Sequence, residues 1–376
     1  MYKYEFKQNF GIFMKQTPCI LEFVFYNIEK GGITMDLLSR LPSPVGMTRP
    51  ALLDLLLREE YGFLPPAPKA LEVEETGYNK RFCAGKAPLR ELKFTAHCEF
   101  GEFSFPVQYF CPKSDKPVPC VVLLKFSESI SHRYLPAEEV VDLGYAVMSV
   151  CYLDISSDNN DFTNGLAGLV YPGGKRAPDQ CGKIGLWAWA AIRLLEYALT
   201  LPELDHSRIS VAGHSRLGKT ALLAGALEPR FFCAWSNNSG CSGAALARNN
   251  TGETVAAICQ KFPYWFCENY LKYAGNEKNL PFDQHFLLAA NAGHKVYVAS
   301  AFGDRWACPE NEYLSCVAAS AYFERNGQKG CIDLNRLPDP GDILHEGDIG
   351  YHMRDGSHYM SREDWNLFIR FVNSKN

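Results

Sequence analysis

The segment Gly213-His214-Ser215-Arg216-Leu217-Gly218-Lys219-Thr220 carries residues able to do two kinds of chemistry. Read as G-x-x-x-x-G-K-[ST], it is a phosphate-binding loop: backbone N–H groups cradle an anion and Lys219 supports it. Read as a strand, a turn with serine at its tip, and a helix, it is the elbow of a serine hydrolase. A phosphate cradle favours small residues, because the backbone must approach the anion. Here His214, Arg216 and Leu217 fill three of the four interior positions. Asp304, at the end of an apolar run, could hold the magnesium such a loop needs, so the acidic residue does not discriminate. The elbow needs small residues around a strained turn, and Gly213 and Gly218 supply them. The common elbow has its second glycine two residues after the serine; Gly218 is three after, a variant spacing. The helix behind Ser215 offers N–H donors to a developing oxyanion.

An elbow serine needs a carboxylate and then a histidine, each after a later strand. Asp304 follows KVYVASAFG, and His358 lies in GYHMRDGSH just before the last helical segment. The order Ser215, Asp304, His358 is that of the α/β-hydrolases, which weights the elbow above the phosphate loop. Each residue also has an ordinary role. Ser215 alone would read as a helix N-cap, and Asp304 as a loop residue capping the helix at 311–327. His352 and His345 compete with His358, which is preferred for its Gly-Ser turn beside a helix start. Asp355 and Asp364 read as surface or capping residues. His285, Trp187 and Trp189 read as structural packing.

The elements that must position these residues follow from hydrophobic pattern. LRELKFTAHCEF and FSFPVQYF, within 89–110, alternate like antiparallel strands. VPCVVLLKF (118–126), GYAVMSVCYLD (144–154), RISVAG (208–213), FFCAWSNNSG (231–240) and KVYVASAFGD (295–304) read as strands, several of them apolar enough to be buried on both faces. Helices are expected at 51–63, 184–199, 219–227, 311–327 and 362–373, with PPAP stopping the first and residues 41–50 extended. An initial hairpin followed by alternating strands and helices predicts a three-layer α/β sandwich with a mostly parallel sheet. The expected organisation is a leader at 1–34, an N-terminal extension at 35–84 packing on the domain, and a catalytic domain at 85–376. The leader reading rests on Glu29-Lys30-Gly31-Gly32, whose codons can spell a ribosome-binding site ahead of a start at Met35.

The 376 residues are 47% hydrophobic, enough for a large core. The net charge of −4 and the lack of a basic run argue against nucleic acid. PCILEFVFY near the N-terminus is too short to span a membrane and makes a poor signal peptide. The 14 cysteines form no C-x-x-C pair, so neither a zinc cluster nor thioredoxin chemistry is indicated, and a reduced, cytoplasmic chain is the simpler expectation. No metal or organic cofactor is expected.

The sequence resembles the bacterial branch of the glucuronoyl esterases, carbohydrate esterase family 15 of the α/β-hydrolase superfamily. The likeness runs through GYAVMSVCYLDISSDNNDF, GKIGLWAWA, GHSRLGKTALLAGA, SNNSGCSGAALARNNTGETV, LPFDQH, SAFGDRWACPE and GYHMRDGSHYMSREDW, across residues 120–372. It implies an α/β-hydrolase cleaving esters of glucuronic or 4-O-methyl-glucuronic acid, which in plant walls join glucuronoxylan to lignin alcohols. It implies Ser215 as nucleophile, His358 as general base, Arg216 at the oxyanion, and Lys219, Glu253 and Trp306 as sugar contacts. Some members carry a catalytic glutamate where this chain has Asn238, which cannot neutralise an imidazolium, so the acid is expected at Asp304 alone. Cys308 and KFSES (125–129) also depart from the pattern near the expected substrate site. The expected partner is a small or oligomeric glucuronate ester, without nucleic acid or membrane. The alternatives are an acetyl xylan or other small-ester esterase on the same fold, a phosphate-loop nucleotide-binding protein, and a silent carbohydrate-binding module.

Overall fold

The computed structural model describes residues 37–130 and 133–374. The leader and the start at Met35 lie outside the described residues. Ten strands form one sheet: β1 (Ala70–Asn79), β2 (Leu89–Cys98), β3 (Gly101–Phe110), β4 (Val118–Lys125), β5 (Ala146–Cys151), β6 (Leu204–His214), β7 (Cys233–Asn237), β8 (Lys295–Ala301), β9 (Ile343–Leu344) and β10 (Ile349–Arg354). Their spatial order is β1-β2-β3-β5-β4-β6-β7-β8-β10-β9. The block from β5 to β10 is parallel. β1, β2 and β3 join it antiparallel at one edge and β9 at the other.

β4 explains why the middle of the sheet reads as a continuous apolar run. Its Cys120, Val122 and Leu124 face the larger core, while Val121 and Leu123 face a second core on the other side. A strand covered on both faces has no polar side to alternate with. The longer helices are α1 (Arg49–Leu56), α2 (Lys183–Ala198), α3 (Arg216–Leu227), α4 (Pro309–Arg325) and α5 (Arg362–Asn373). The first four send apolar residues into the larger core; Trp365 and Phe368 of α5 pack into the smaller one. This is the three-layer α/β-hydrolase sandwich. Among the described residues no helix is long and apolar enough to cross a membrane.

The structure amends several boundaries. The strand expected over 144–154 ends at Cys151, and the chain makes a single helical turn, Tyr152–Ile155. Residues 41–50 are not extended throughout: they turn before α1, whose first turn takes Pro50. α1 ends at Leu56 and a π-helical turn, Leu57–Tyr61, follows; Gly62, at φ 81°, ends the run before PPAP. A Cβ on Gly62 would lie 2.4 Å from the Cα of Cys181, so only glycine fits there. β1 and β10 were not expected. β1 is an edge strand rich in glutamate with a register shift between Glu75 and Gly77, which hides its alternation. β10 carries His352 and Arg354, polar residues that the sequence gives no reason to bury. β1 pairs along β2, so the boundary expected at 84/85 cuts through the sheet.

Candidate active site

The parallel strands β6 and β8 flank β7, so they end at the same, carboxyl end of the sheet, and the loops that follow them carry the chemistry. β6 ends at His214, α3 begins at Arg216, and Ser215 between them has φ 58° and ψ −128°. A non-glycine residue held at such a φ is strained and persists only when its surroundings fix it. They do: the Ser215 N–H donates to Asn237 O at 2.9 Å, and Gly218 N–H donates to Ser215 O at 2.8 Å. A Cβ on Gly213 would sit 2.1 Å from Leu217 O, so the turn closes only over a hydrogen. A Cβ on Gly218 would come within 3.0 Å of Ser239 Cβ, which gives the late second glycine its reason. GHSRLGKT is thus a strand, an elbow and a helix. It is not a phosphate cradle, since Lys219 turns into the protein and donates to Ser239 O and to Cys241 O.

Asp304 and His358 come together from the ends of β8 and β10. The two loops are stapled by Phe302 N–H to Arg354 O and Gly303 N–H to Gly356 O. His358 Nδ1 lies 2.6 Å from Asp304 Oδ2. That contact assigns the proton to Nδ1 and leaves Nε2 as the acceptor. Asn238, at φ 46°, donates its Nδ2 to the same carboxylate oxygen at 2.8 Å. Burial pushes the Asp304 carboxyl up, but the hydrogen bond and charge of His358, with Asn238 and the Ala307 N–H, outweigh it and hold the group below its ordinary value. Asp304 does not cap α4, whose N-cap is Cys308. Cys308 itself is buried, with Sγ 3.6 Å from Thr251 Oγ1.

His352 is committed elsewhere. It is fully buried, with Nε2 2.8 Å from Asp364 and Nδ1 2.7 Å from Tyr297 OH. Asp364 caps α5 through a reciprocal pair with Ser361, as a capping residue would, but it is buried and not on the surface. It also receives Arg354 Nε at 2.9 Å on both oxygens. His345 accepts or donates at 3.0 Å to Tyr297 OH. His285 packs against Pro42 O at 2.9 Å, and burial lowers it to about 4. Trp187 and Trp189 are buried in α2.

Ser215, Arg216 and His358 line one cavity of about 540 Å³, with Phe126, Ser127, Arg133, Tyr134 and His214. Phe126 and Ser127 belong to KFSES; buried Lys125 holds that loop by donating to Glu128 O at 3.0 Å and Ser129 O at 3.2 Å. The His214 ring stands 4.4 Å from that of His358. Burial, with the His358 charge second, drives His214 down to about 3, so it remains neutral beside a charged His358. The Arg216 guanidinium is paired with Asp158, its carbon 4.7 Å from the Trp265 ring centroid. Lys219, Glu253 and Trp306 form a chain of their own off that wall. Lys219 Nζ is 3.8 Å from Glu253, and Trp306 Nε1 donates to Glu253 Oε1 at 3.3 Å. Lys219 and Glu253 are buried, while Trp306 is 58% exposed.

Sequence reasoning missed Asp158, Arg133, Tyr134, the place of His214 on the wall, and Glu312. Glu312 is fully buried and accepts from Ser300 Oγ at 2.6 Å and Gly240 N–H at 2.9 Å; burial raises it to about 7. Its only sequence trace is as one of two acids, with Glu310, in the first turn of a helix, which reads equally as a helix-dipole partner.

A sequence model described as glucuronyl esterase, fungi, matches residues 95–327, more than half of the chain. A carbohydrate esterase from an unknown prokaryote is 39% identical over 237 residues, 62% of this chain and 54% of that protein. A 4-O-methyl-glucuronoyl methylesterase of Podospora anserina is 27% identical over 264 residues, 67% of this chain and 50% of that one. This chain therefore spans about half the length of these curated relatives. Among solved structures, a glucuronoyl esterase from Solibacter usitatus superposes with a TM-score of 0.81 at 29% identity, covering 88% of this chain and 96% of that one.

Proposed function

The chain belongs to the glucuronoyl esterase family, and we propose that it hydrolyses esters of glucuronic or 4-O-methyl-glucuronic acid by acyl transfer through Ser215, His358 and Asp304. The observation that carries this reading is the 2.6 Å contact of His358 Nδ1 with Asp304 on the wall of the cavity that Ser215 enters from a strained turn. His358 Nε2 takes the Ser215 proton as Oγ attacks the C-6 carbonyl of the uronate. The tetrahedral oxyanion is received by the first-turn N–H groups of α3 and by Arg216. The C–O bond to the alcohol breaks, and the alcohol leaves with the proton from His358. Water then repeats the sequence on the acyl-enzyme and releases the uronate with Ser215 restored. Asp304 keeps the imidazole oriented and stabilises its charged form. No step calls on a metal or an organic cofactor.

Substrate preference rests on the family likeness and on Trp306, whose exposed ring suits the apolar face of a sugar, with Glu253 and Lys219 behind it. The cysteines among the described residues are all free thiols, which supports a cytoplasmic location and a small or oligomeric ester over a wall polymer.

The test is acid release from benzyl glucuronate and, separately, from an acetyl ester, with Ser215→Ala as control. Turnover of the glucuronate ester that disappears in Ser215→Ala is the expected result. Turnover of the acetyl ester alone would keep the elbow and replace the substrate with a small ester. Near-wild-type activity in pure Ser215→Ala would refute the mechanism.

A further inference from the structure

The side chain beside the nucleophile is itself held by a carboxylate to which no role has been given. Asp158 lies in the polar loop after β5. Its Oδ2 accepts from Arg216 Nη1 and from Tyr152 OH at 3.1 Å, its Oδ1 from Trp265 Nε1 at 2.7 Å, and its carbonyl from Tyr264 OH at 3.0 Å. The loop is anchored in turn by buried Lys183 of α2, which donates to Ser156 Oγ at 2.8 Å and Asp161 O at 2.6 Å. The guanidinium stands against aromatic rings: its carbon is 4.7 Å from Trp265, 5.4 Å from Phe262 and 5.8 Å from Phe126. Trp265 and Phe262 are themselves stacked 3.9 Å apart at 3°. An arginine in such a setting has one orientation available, because its planar fork is fixed by the carboxylate at one end and the rings at its face.

That orientation leaves a donor over. Arg216 Nε is buried and has no hydrogen-bond partner among the described residues. A buried N–H without a partner costs free energy and calls for an explanation, a catalytic role being one. Arg216 follows Ser215 directly and lines the same cavity. The negative charge that forms there is on the substrate oxygen after attack by Ser215.

We propose that Asp158 is the positioning residue of the oxyanion site: by holding Nη1 of Arg216 it fixes the guanidinium at the elbow, so that its positive charge is in place for the negative charge that develops in the transition state. The inference rests on the reading that Arg216 receives the oxyanion. Asp158 touches neither substrate nor nucleophile; its effect passes through Arg216. It also compensates the arginine charge in the resting enzyme, so the site holds a fixed guanidinium without an unpaired cation.

The experiment compares Asp158→Ala, Asp158→Asn, Arg216→Ala and the double variant Asp158→Ala/Arg216→Ala on the full chain. Two readouts are taken: steady-state hydrolysis of benzyl glucuronate, and the rate at which a fluorophosphonate phosphonylates Ser215. In the second reaction Ser215 Oγ bonds to phosphorus, fluoride leaves, and His358 takes the proton, so it reports the oxyanion site without a sugar. Asp158→Asn keeps an acceptor for Trp265 and removes the negative charge that faces Arg216, which makes it the informative variant where Asp158→Ala folds poorly. The expected result is a fall in kcat of roughly ten- to a hundredfold, below the ~10²–10³ that loss of an oxyanion donor costs, with KM changed less than about threefold. On the Arg216→Ala background, Asp158→Ala should cost less than about twofold more. An Asp158→Asn enzyme with wild-type kcat and labelling rate would overturn the proposal. So would an Asp158→Ala effect of the same size with and without Arg216, since that would make the role purely structural. If wild-type protein labels at Ser215 but cleaves no glucuronate ester, the substrate reading falls while the labelling rates still decide the role of Asp158.

Discussion

At the scale of single residues the site divides into groups whose chemistry depends on a partner and groups that are already spent. His358 has one nitrogen on Asp304 and the other open, whereas both nitrogens of His352 are engaged. Asp304 and Asn238 meet at one carboxylate oxygen, with the amide as donor. An amide can steady that carboxylate but cannot replace its charge. Asp304→Asn should therefore lower kcat by roughly 10³–10⁴, because a neutral group at His358 Nδ1 loses both tautomer control and imidazolium stabilisation. Asn238→Ala should lower kcat less than about tenfold. Measured kcat on the glucuronate ester decides between them, and the reverse ranking would move the catalytic acid away from Asp304. The types and order of Ser215, Asp304 and His358 were legible from sequence because the first two follow recognisable strands and the third lies in a Gly-Ser turn just before a helix start. Asp158 was not legible: its pairing with Arg216 joins a loop to the first residue of α3 far along the chain, and no local spacing reports such a contact.

At the scale of elements, turns decide as much as strands. The π-helical turn after α1 buries Glu60 completely, with Gln284 Nε2 donating to its two oxygens at 3.1 and 3.2 Å. Burial, opposed by the Gln284 bond, raises its carboxyl to about 8. Between an ordinary carboxylate pKa of about 4.3 and that value, the folded protein keeps a proton that the unfolded chain has released. Stability then falls as pH rises through the window, because the native state binds more protons than the unfolded one. Glu60→Gln keeps the acceptor and cannot ionise. Its melting temperature relative to wild type should climb steadily from pH 5 to pH 8.5; a constant difference across that range would mean that Glu60 is ionised in the fold. The sequence predicted a helix here and could not show the π turn, since the extra residue per turn leaves no mark on apolar spacing. β10 escaped for a related reason: a six-residue strand whose polar members are buried against Asp364 has neither alternation nor an apolar run.

For the molecule as a whole, the site is only as well made as the packing behind the sheet. α5 closes the smaller core by setting Trp365 edge-on to Trp235, with centroids 4.9 Å apart at 88°, and Phe368 flat against it at 4.3 Å. Trp365 Nε1 also donates at 2.8 Å to the carbonyl of Tyr134, a residue of the cavity wall. Trp365→Ala should cost about 3–5 kcal/mol in urea unfolding, through lost burial and the cavity left behind. A loss under about 1 kcal/mol would mean that α5 contributes little to closing that core. The parallel α/β core, the elbow and the order of its three chemical residues are legible along the chain, because burial on both faces and a strained Gly-flanked turn are local demands that leave local marks. Four outcomes emerge only in three dimensions: which histidine is open, that Lys219 turns inward onto carbonyls, that Asp158 takes Arg216, and that β1 and β10 extend the sheet. Those outcomes are set by which groups satisfy one another once buried, a competition among residues distant in the chain that no spacing along it records.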